Sequence, residues 1–139
     1  MVAYWGKADY KWGFTTMDNT AAFTAKVATD FSCPRYIHIA GDIISPSDVR
    51  NVVSEVYGTK FRLIRAGGSG FLGVLIKIIR KLSPSPNELY PAWQGMQYMH
   101  NMIDERSKIY RLANDRYPEI KWTTVKDILS SFKQQSNIN

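Results

Sequence analysis

The chain has 139 residues, of which 45% are hydrophobic and 13% aromatic, and its formal net charge is +6 at pH 7. This length and apolar content suffice for one compact domain with its own core. The single cysteine, Cys33, excludes an internal disulfide, and the two histidines lie too far apart in sequence to indicate a metal site. The N-terminus lacks a basic stretch followed by an apolar run, and no apolar run is long enough to cross a bilayer. We therefore expect a cytoplasmic protein without a membrane-spanning segment.

The basic residues are concentrated in one part of the chain. Residues 56–87 contain no acidic residue and the following basic ones: Lys60, Arg62, Arg65, Lys77, Arg80 and Lys81. Such a segment can bind a phosphate-bearing ligand or nucleic acid, or it can form a solvated face. No nucleic-acid motif accompanies it, so we expect no nucleic-acid partner.

The first part of the chain predicts a loop, a helix and a strand. Residues 4–16 mix aromatic residues with glycine and lysine, which is typical of a loop that leads into a short extended piece. Asp18 is predicted to cap a helix over residues 19–30, which residues 32–34 end. The positions able to share its buried stripe are Ala22, Phe23, Val27 and Ala28. Residues 36–40 predict a strand that stops at residues 41–42.

The clearest helix start lies at residues 45–48. Ser45 is followed by Pro46, and Asp48 stands three residues after the serine, which is the pattern of a capping box with proline at the first helical position. Valines follow at the spacing of one helical face, and Gly58 stands where a left-handed C-terminal residue is expected. Residues 60–65 alternate in polarity and predict a further strand.

The second half of the chain predicts mainly helices. Residues 71–82 predict an apolar helix with one charged stripe, residues 83–86 a loop, and residues 93 to about 105 a helix rich in methionine and aromatic residues. A terminal helix is predicted over residues 122–132, with Thr123 as its cap. The predicted fold class is α/β or α+β, mostly helical with two or three short strands, in one domain over residues 1–133 followed by a polar tail at 134–139.

Gly68, Gly70 and Gly73 match the dinucleotide fingerprint G-x-G-x-x-G between a predicted strand and a predicted helix. In that setting the glycines let the backbone approach a pyrophosphate at the helix N-terminus, with Arg62 or Arg65 near a phosphate. A βαβ unit needs a second parallel strand after the helix, whereas a proline-containing loop and another helix follow here. The acidic residue about twenty positions on is Glu88, in that loop. Two interpretations stay open: a dinucleotide site, or a glycine-rich turn that enters a buried helix.

A cluster of aromatic residues and methionines lies in the predicted helix after residue 92. The cluster could line a pocket for an apolar or aromatic small molecule, because methionine adapts to irregular shapes and aromatic rings offer flat surfaces. Its members are Trp93, Met96, Tyr98, Met99 and Met102, of which the first four are the candidate substrate-binding residues. They could equally form part of the core.

Four stretches follow one another along nearly the whole chain: FTTMDNTA at 14–21, YIHIAGD at 36–42, SPSD at 45–48 and NDRYP at 114–118. Their order and spacing resemble the C-terminal, substrate-side portion of NmrA-like and isoflavone-reductase-like atypical short-chain dehydrogenases. The resemblance implies a Rossmann-type fold of which this chain is the substrate-side half, with NAD(P) bound by a domain that this chain lacks. It implies no cofactor for this chain alone.

Short-chain dehydrogenases generally use a tyrosine and a lysine four residues later, because the lysine lowers the pKa of the phenol for proton transfer. Tyr117 and Lys121 have that spacing, but Pro118 directly follows the tyrosine, so the pair is interpreted as a coincidence and no catalytic residue is assigned.

Three functional hypotheses follow from the residues and the resemblance. The first is a substrate-binding part of an NAD(P)-dependent oxidoreductase, inactive alone, in which the aromatic and methionine cluster shapes the pocket. The second is a redox-sensing regulatory module that binds cofactor or a partner protein without catalysis. The third is an independent nucleotide-binding domain that uses residues 68–73. Surface left by a missing Rossmann half also predicts a protein partner or self-association.

Overall fold

The computed structural model describes residues 1–84, 88–104 and 111–136. Its strands are β1 (Val2–Trp5), β2 (Trp12–Phe14), β3 (Asp42–Ile44) and β4 (Leu63–Gly67). Its helices are α1 (Met17–Val27), α2 (Pro46–Tyr57), α3 (Ser69–Leu82), α4 (Ala92–Met102) and α5 (Val125–Ser136), with a 3-10 turn at Asn114–Arg116. The predicted class, α/β or α+β and mainly helical, is confirmed, although the described part of the chain holds four strands where two or three were expected.

The strands form two small sheets. β1 pairs in parallel with β4, with Val2 opposite Leu63, and β2 pairs antiparallel with β3, with Trp12 opposite Ile44. Helix α2 contacts both sheets and also packs on α5, while α3 packs on α4. Residues 4–16 were predicted as a loop leading into a short extended piece, and β2 lies at the end of this segment. The end of β1 was not expected there, because its partner strand lies much later in the chain.

Helix α1 begins two residues earlier than predicted. Its cap is Thr16, whose hydroxyl accepts a hydrogen bond from the Asn19 N–H at 3.1 Å, so the assignment of the cap to Asp18 is wrong. Asp18 instead lies in the first turn. The helix ends at Val27, before the predicted limit at residue 30. Phe23 is buried as expected and Val27 is half-buried, but two members of the predicted buried stripe are exposed: Ala22 and Ala28.

The strand predicted at residues 36–40 does not form. The nearest strand, β3, occupies residues 42–44, where the strand was expected to have stopped. Gly41, just before it, donates its N–H to the Phe14 carbonyl at 2.8 Å. A Cβ at Gly41 would run into the Thr123 carbonyl oxygen, so this close approach of two backbones requires glycine.

Helix α2 confirms the capping box. The Ser45 hydroxyl accepts from the Asp48 N–H at 3.2 Å, and the Asp48 carboxylate accepts from the Ser45 N–H at 2.9 Å. Gly58 ends the helix in the left-handed conformation, with φ at 66°. The strand predicted at 60–65 is present but shifted to residues 63–67, and it therefore ends at the glycines that precede α3.

The remaining helices form as predicted with displaced ends. Helix α3 begins two residues before the predicted start and buries Leu72 and Ile76, while α4 begins at residue 92 and ends at residue 102. The cap of α5 is Thr124, whose hydroxyl accepts from the Asp127 N–H at 3.2 Å, so the assignment to Thr123 is wrong. Helix α5 continues into the predicted polar tail as far as residue 136. Residues 85–87, 105 and 137–139 of the predicted loop, helix end and tail lie outside the described residues.

Candidate functional site

The carboxyl ends of β1 and β4 meet, because the two strands run in parallel. The Gly6 N–H donates to the Gly67 carbonyl at 2.8 Å, which extends the pairing one residue past β1. The chain then turns away at Gly6, whose φ of 80° favours glycine. In open parallel sheets, ligands bind in the crevice outside the carboxyl ends of the strands. A ligand site is therefore expected at this end of the sheet.

A cleft of about 410 Å³ lies at these strand ends. Three segments line it: the turn after β1, the junction of β4 with α3, and the end of α4. The lining residues are Gly6, Lys7, Tyr10, Arg65, Gly68, Ser69, His100, Ile103 and Asp104. Its volume falls within the range of about 300–1,000 Å³ that is typical of small-molecule sites. We refer to it as the strand-end cleft.

The N-terminus of α3 opens into the strand-end cleft. Gly68 is the cap residue and no side chain caps the helix, while Ser69 is its first residue. The first helical hydrogen bond joins the Leu72 N–H to the Gly68 carbonyl at 3.1 Å. The N–H groups before Leu72 point along the helix axis and carry the positive end of its dipole. A helix start of this kind attracts an anion.

Charged side chains add to that positive end. Lys7 and Arg65 line the strand-end cleft together with His100, and Asp104 contributes one carboxylate at the end of α4. The Tyr10 hydroxyl donates to the backbone carbonyl of Asp104 at 2.9 Å, which ties the turn after β1 to the end of α4. The cleft is thus lined by two cationic side chains, one carboxylate and an imidazole.

The glycines at the β4–α3 junction have different structural requirements. Gly67 has φ of 158°, and a Cβ there would come within 2.8 Å of Trp5 and 2.9 Å of Phe71. A Cβ at Gly73 would lie 3.4 Å from the His100 ring. A Cβ at Gly70 would meet nothing within 4 Å. The fold therefore explains Gly67 by its conformation and close packing, but it does not explain Gly70.

The predicted cofactor residues are only partly brought together. Gly68 and Arg65 line the strand-end cleft, and the Arg65 guanidinium lies 3.8 Å from the position of a Cβ on Gly68. Arg62 is exposed and lies outside the lining, as do Gly70, Gly73 and Glu88. The strand-then-helix context of the fingerprint is present, and the next element in the described chain is α4, which packs on α3.

The four predicted substrate residues lie on α4 but outside the lining of the cleft. The Trp93 indole N–H donates to the Pro84 carbonyl at 3.2 Å, and the Arg80 guanidinium lies 5.0 Å from the centre of the Trp93 ring. Tyr98 is exposed, and Met96 and Met99 are half-buried. The same helix supplies His100 to the cleft, so α4 reaches the site through its C-terminal end.

Tyr117 belongs to a separate cluster. Its hydroxyl donates to the Asp30 carboxylate at 2.7 Å, and the Arg116 guanidinium donates to the same oxygen at 2.8 Å. Burial raises the pKa of Tyr117, and its hydrogen bond to Asp30 raises it further. Residues 121–124 are not helical, so Lys121 does not share a helical face with this tyrosine. The cluster fastens the end of α1 to the 3-10 turn.

Sequence reasoning missed most of the lining. Lys7 and Tyr10 fall in the segment predicted as a loop, and His100, Ile103 and Asp104 fall at a helix end that carried no motif. The available signal was the short run Val2–Trp5 followed by Gly6, which marks a strand end once β1 is recognised.

No protein-family model matches the chain, and no curated protein matches it. Within the described ranges, no group of three or more His, Cys, Asp or Glu residues is placed to hold a metal ion. None of the described helices is both long and apolar enough to span a membrane.

Proposed function

We propose that the chain binds a phosphate-bearing ligand, of the nucleotide or NAD(P) class, in the strand-end cleft. The observation that carries this proposal is the position of the uncapped N-terminus of α3 in a cleft at the carboxyl ends of two parallel strands. Helix N-terminal N–H groups and a guanidinium are the donors that phosphate oxygens accept from most readily. Arg65 supplies the guanidinium beside that N-terminus.

Other residues of the lining suit the organic part of such a ligand. Tyr10 and Ile103 offer apolar surface, and Asp104 offers a carboxylate that can accept hydrogen bonds from sugar hydroxyls. The same carboxylate repels an anion, so the phosphate is expected on the side of Arg65 and Ser69.

A second candidate is the substrate-side role that the NmrA-like resemblance implies. The observation that favours it is the contribution of α4 to the strand-end cleft through His100 and Ile103, because α4 carries the residues expected to shape a substrate pocket. Under this candidate the cleft holds the substrate and NAD(P) is supplied by a separate domain. The two candidates differ in whether this chain binds the cofactor by itself.

Calorimetric titration of the purified chain with pyrophosphate, NADPH and NADH tests the proposal. Saturable binding that weakens as salt is raised, together with a higher melting temperature, is the expected result. A folded sample that binds none of the three would contradict the proposal and would leave the substrate-side candidate.

The fingerprint interpretation also predicts that Gly70 is required for nucleotide binding. Position 70 has room for a Cβ, which would meet no neighbour within 4 Å, so we expect Gly70→Val to fold. Loss of nucleotide binding in a folded Gly70→Val variant would indicate that a bound dinucleotide lies close to the backbone at this glycine. Unchanged affinity would exclude the fingerprint while leaving the wider cleft site intact.

A further inference from the structure

Helix α3 has one buried and one exposed apolar side. It spans 14 residues, which corresponds to about 21 Å at 1.5 Å per residue. Leu72 and Ile76 are buried. Apolar residues three or four positions apart stay exposed on another side, and we call them the α3 stripe: Phe71 at 59%, Val74 at 54%, Ile78 at 47% and Leu82 at 79% exposed. The stripe therefore runs along almost the whole helix.

The α3 stripe continues onto the β1–β4 sheet. The Phe71 ring stacks on Trp5 with ring centroids 6.0 Å apart. Ile64 on β4 is 45% exposed, and its parallel neighbour Ala3 is also exposed. Parallel sheets in proteins are generally covered on both faces. Here α2 contacts the sheet, while the face that carries Ala3 and Ile64 is open in the described part of the chain.

Positive charge borders the α3 stripe. Lys77 lies three residues after Val74 and Lys81 three residues after Ile78, so both lysines flank it along the helix. Both are exposed, and α3 contains no acidic residue. Arg80 lies over the Trp93 ring, which leaves the two lysines as the cations beside the stripe. An apolar strip bordered by lysines complements an apolar strip bordered by carboxylates.

We propose that the α3 stripe docks an amphipathic helix of a partner protein, whose apolar side is flanked by Glu or Asp residues. A second copy of the chain is disfavoured, because stripe-to-stripe packing would add a second set of Lys77 and Lys81 to the same interface. A lipid surface is disfavoured as well, because two lysines border the stripe on α3, whereas attraction to an anionic lipid surface generally takes a cluster of about four to eight basic residues.

Two synthetic helical peptides test the proposal. Both carry leucines at positions a and d of two heptads, and one has glutamates at the flanking positions where the other has lysines. Fluorescence anisotropy with the full chain should give at least tenfold tighter binding of the glutamate peptide, weakened by salt. Val74→Glu should reduce that affinity at least tenfold, and Lys77→Glu with Lys81→Glu should reverse the preference between the peptides. Phe31→Glu, at an exposed aromatic residue on another part of the surface, is the matched control.

Equal affinity for the two peptides, or binding unaffected by Val74→Glu, overturns the proposal. Concentration-dependent dimers in sedimentation velocity that vanish in Val74→Glu, without peptide binding, would assign the stripe to a second copy. Binding to vesicles of phosphatidylcholine and phosphatidylserine that vanishes in the same variant would assign it to lipid. Val74 is exposed, so the variant should keep its circular dichroism spectrum. Pyrophosphate binding in the strand-end cleft should also be unchanged, which separates the two sites.

Discussion

The side chain of Asn114 exchanges two hydrogen bonds with the backbone of Ala40. Its amide nitrogen donates to the Ala40 carbonyl at 2.7 Å, and its amide oxygen accepts from the Ala40 N–H at 3.3 Å. Ala40 is only 2% exposed, so these backbone groups cannot rely on water. The Ala113 N–H also donates to the His38 carbonyl at 2.9 Å. A side chain and a loop thus take the place of a partner strand.

Replacing Asn114 with alanine should therefore destabilise the fold. The change leaves a buried N–H and carbonyl of Ala40 without their partner, which costs about 1–3 kcal/mol of unfolding free energy. Urea denaturation followed by circular dichroism measures the loss. Asn51→Ala, at an exposed asparagine of α2, should change stability by less than about 0.5 kcal/mol. Equal effects of the two substitutions would contradict the role of Asn114.

The core depends on Leu72, which is 0% exposed. Leu72→Ala should lower the free energy of unfolding by about 2–5 kcal/mol, because it removes buried apolar contacts and leaves a cavity between α3 and its neighbours. Leu82→Ala is the same chemical change on the same helix at a side chain that is 79% exposed. It should cost less than about 1 kcal/mol. A small effect at Leu72 would show that α3 is not packed as described.

Acid should weaken the contact between α1 and the 3-10 turn. Hydrogen bonds from Ser32, Tyr117 and Arg116 hold the pKa of the Asp30 carboxyl well below its usual range. A carboxyl whose pKa is lower in the folded state stabilises the fold above its unfolded pKa of about 3.9, and that stabilisation is lost as the pH falls toward the folded pKa. Stability should therefore decrease as the pH drops below about 4.

Asp30→Asn isolates this contribution. The variant should be less stable than the wild type at pH 7, and the difference between the two should shrink as the pH falls below about 4. Thermal melts at several pH values measure both quantities. Asp48 and Asp127 also have lowered pKa values, because their capping hydrogen bonds favour the carboxylate, so some acid sensitivity should persist in the variant. A difference that stays constant with pH would contradict the account of Asp30.

Gly68→Ser should raise the stability of the fold and weaken anion binding. A serine at the cap position can accept from an N–H of the first turn, which should raise stability by a few tenths of a kcal/mol. The same hydroxyl competes with a phosphate for that N–H, so pyrophosphate affinity should fall several-fold. Gly95→Ser, on α4 where an added Cβ meets nothing within 4 Å, should leave pyrophosphate affinity unchanged. Tighter pyrophosphate binding in Gly68→Ser would contradict the proposed anion position.

The sequence predicted those helix caps and helices that depend on residues close together in the chain. The Ser45 capping box, the left-handed Gly58 and the apolar helix predicted at residues 71–82 all depend on residues within a few positions of one another. All three are present, although the helix begins two residues before the predicted start. The error in the cap of α1 is of the same local kind. Thr16 and Asp18 both carry capping side chains, and the hydrogen bond to Asn19 decides between them.

The strand-end cleft could not be predicted because it depends on distant pairing. Val2–Trp5 becomes a strand only through its parallel partner near residue 63, and without β1 there is no strand end at Lys7. Residues 36–40 illustrate the converse error, since their alternation resembles a strand while Asn114 satisfies the backbone of Ala40. His100 reaches the cleft because α4 packs on α3, and no motif in the sequence encodes that contact.

The most direct measurement of the central claim is the pyrophosphate affinity of Arg65→Ala beside that of Arg62→Ala. The two arginines lie on the same segment, both are exposed, and each substitution removes one positive charge. Only Arg65 lines the strand-end cleft. We expect calorimetry to show at least tenfold weaker binding in Arg65→Ala and nearly wild-type binding in Arg62→Ala. Equal losses would indicate attraction by net charge alone and would contradict a phosphate site at the N-terminus of α3.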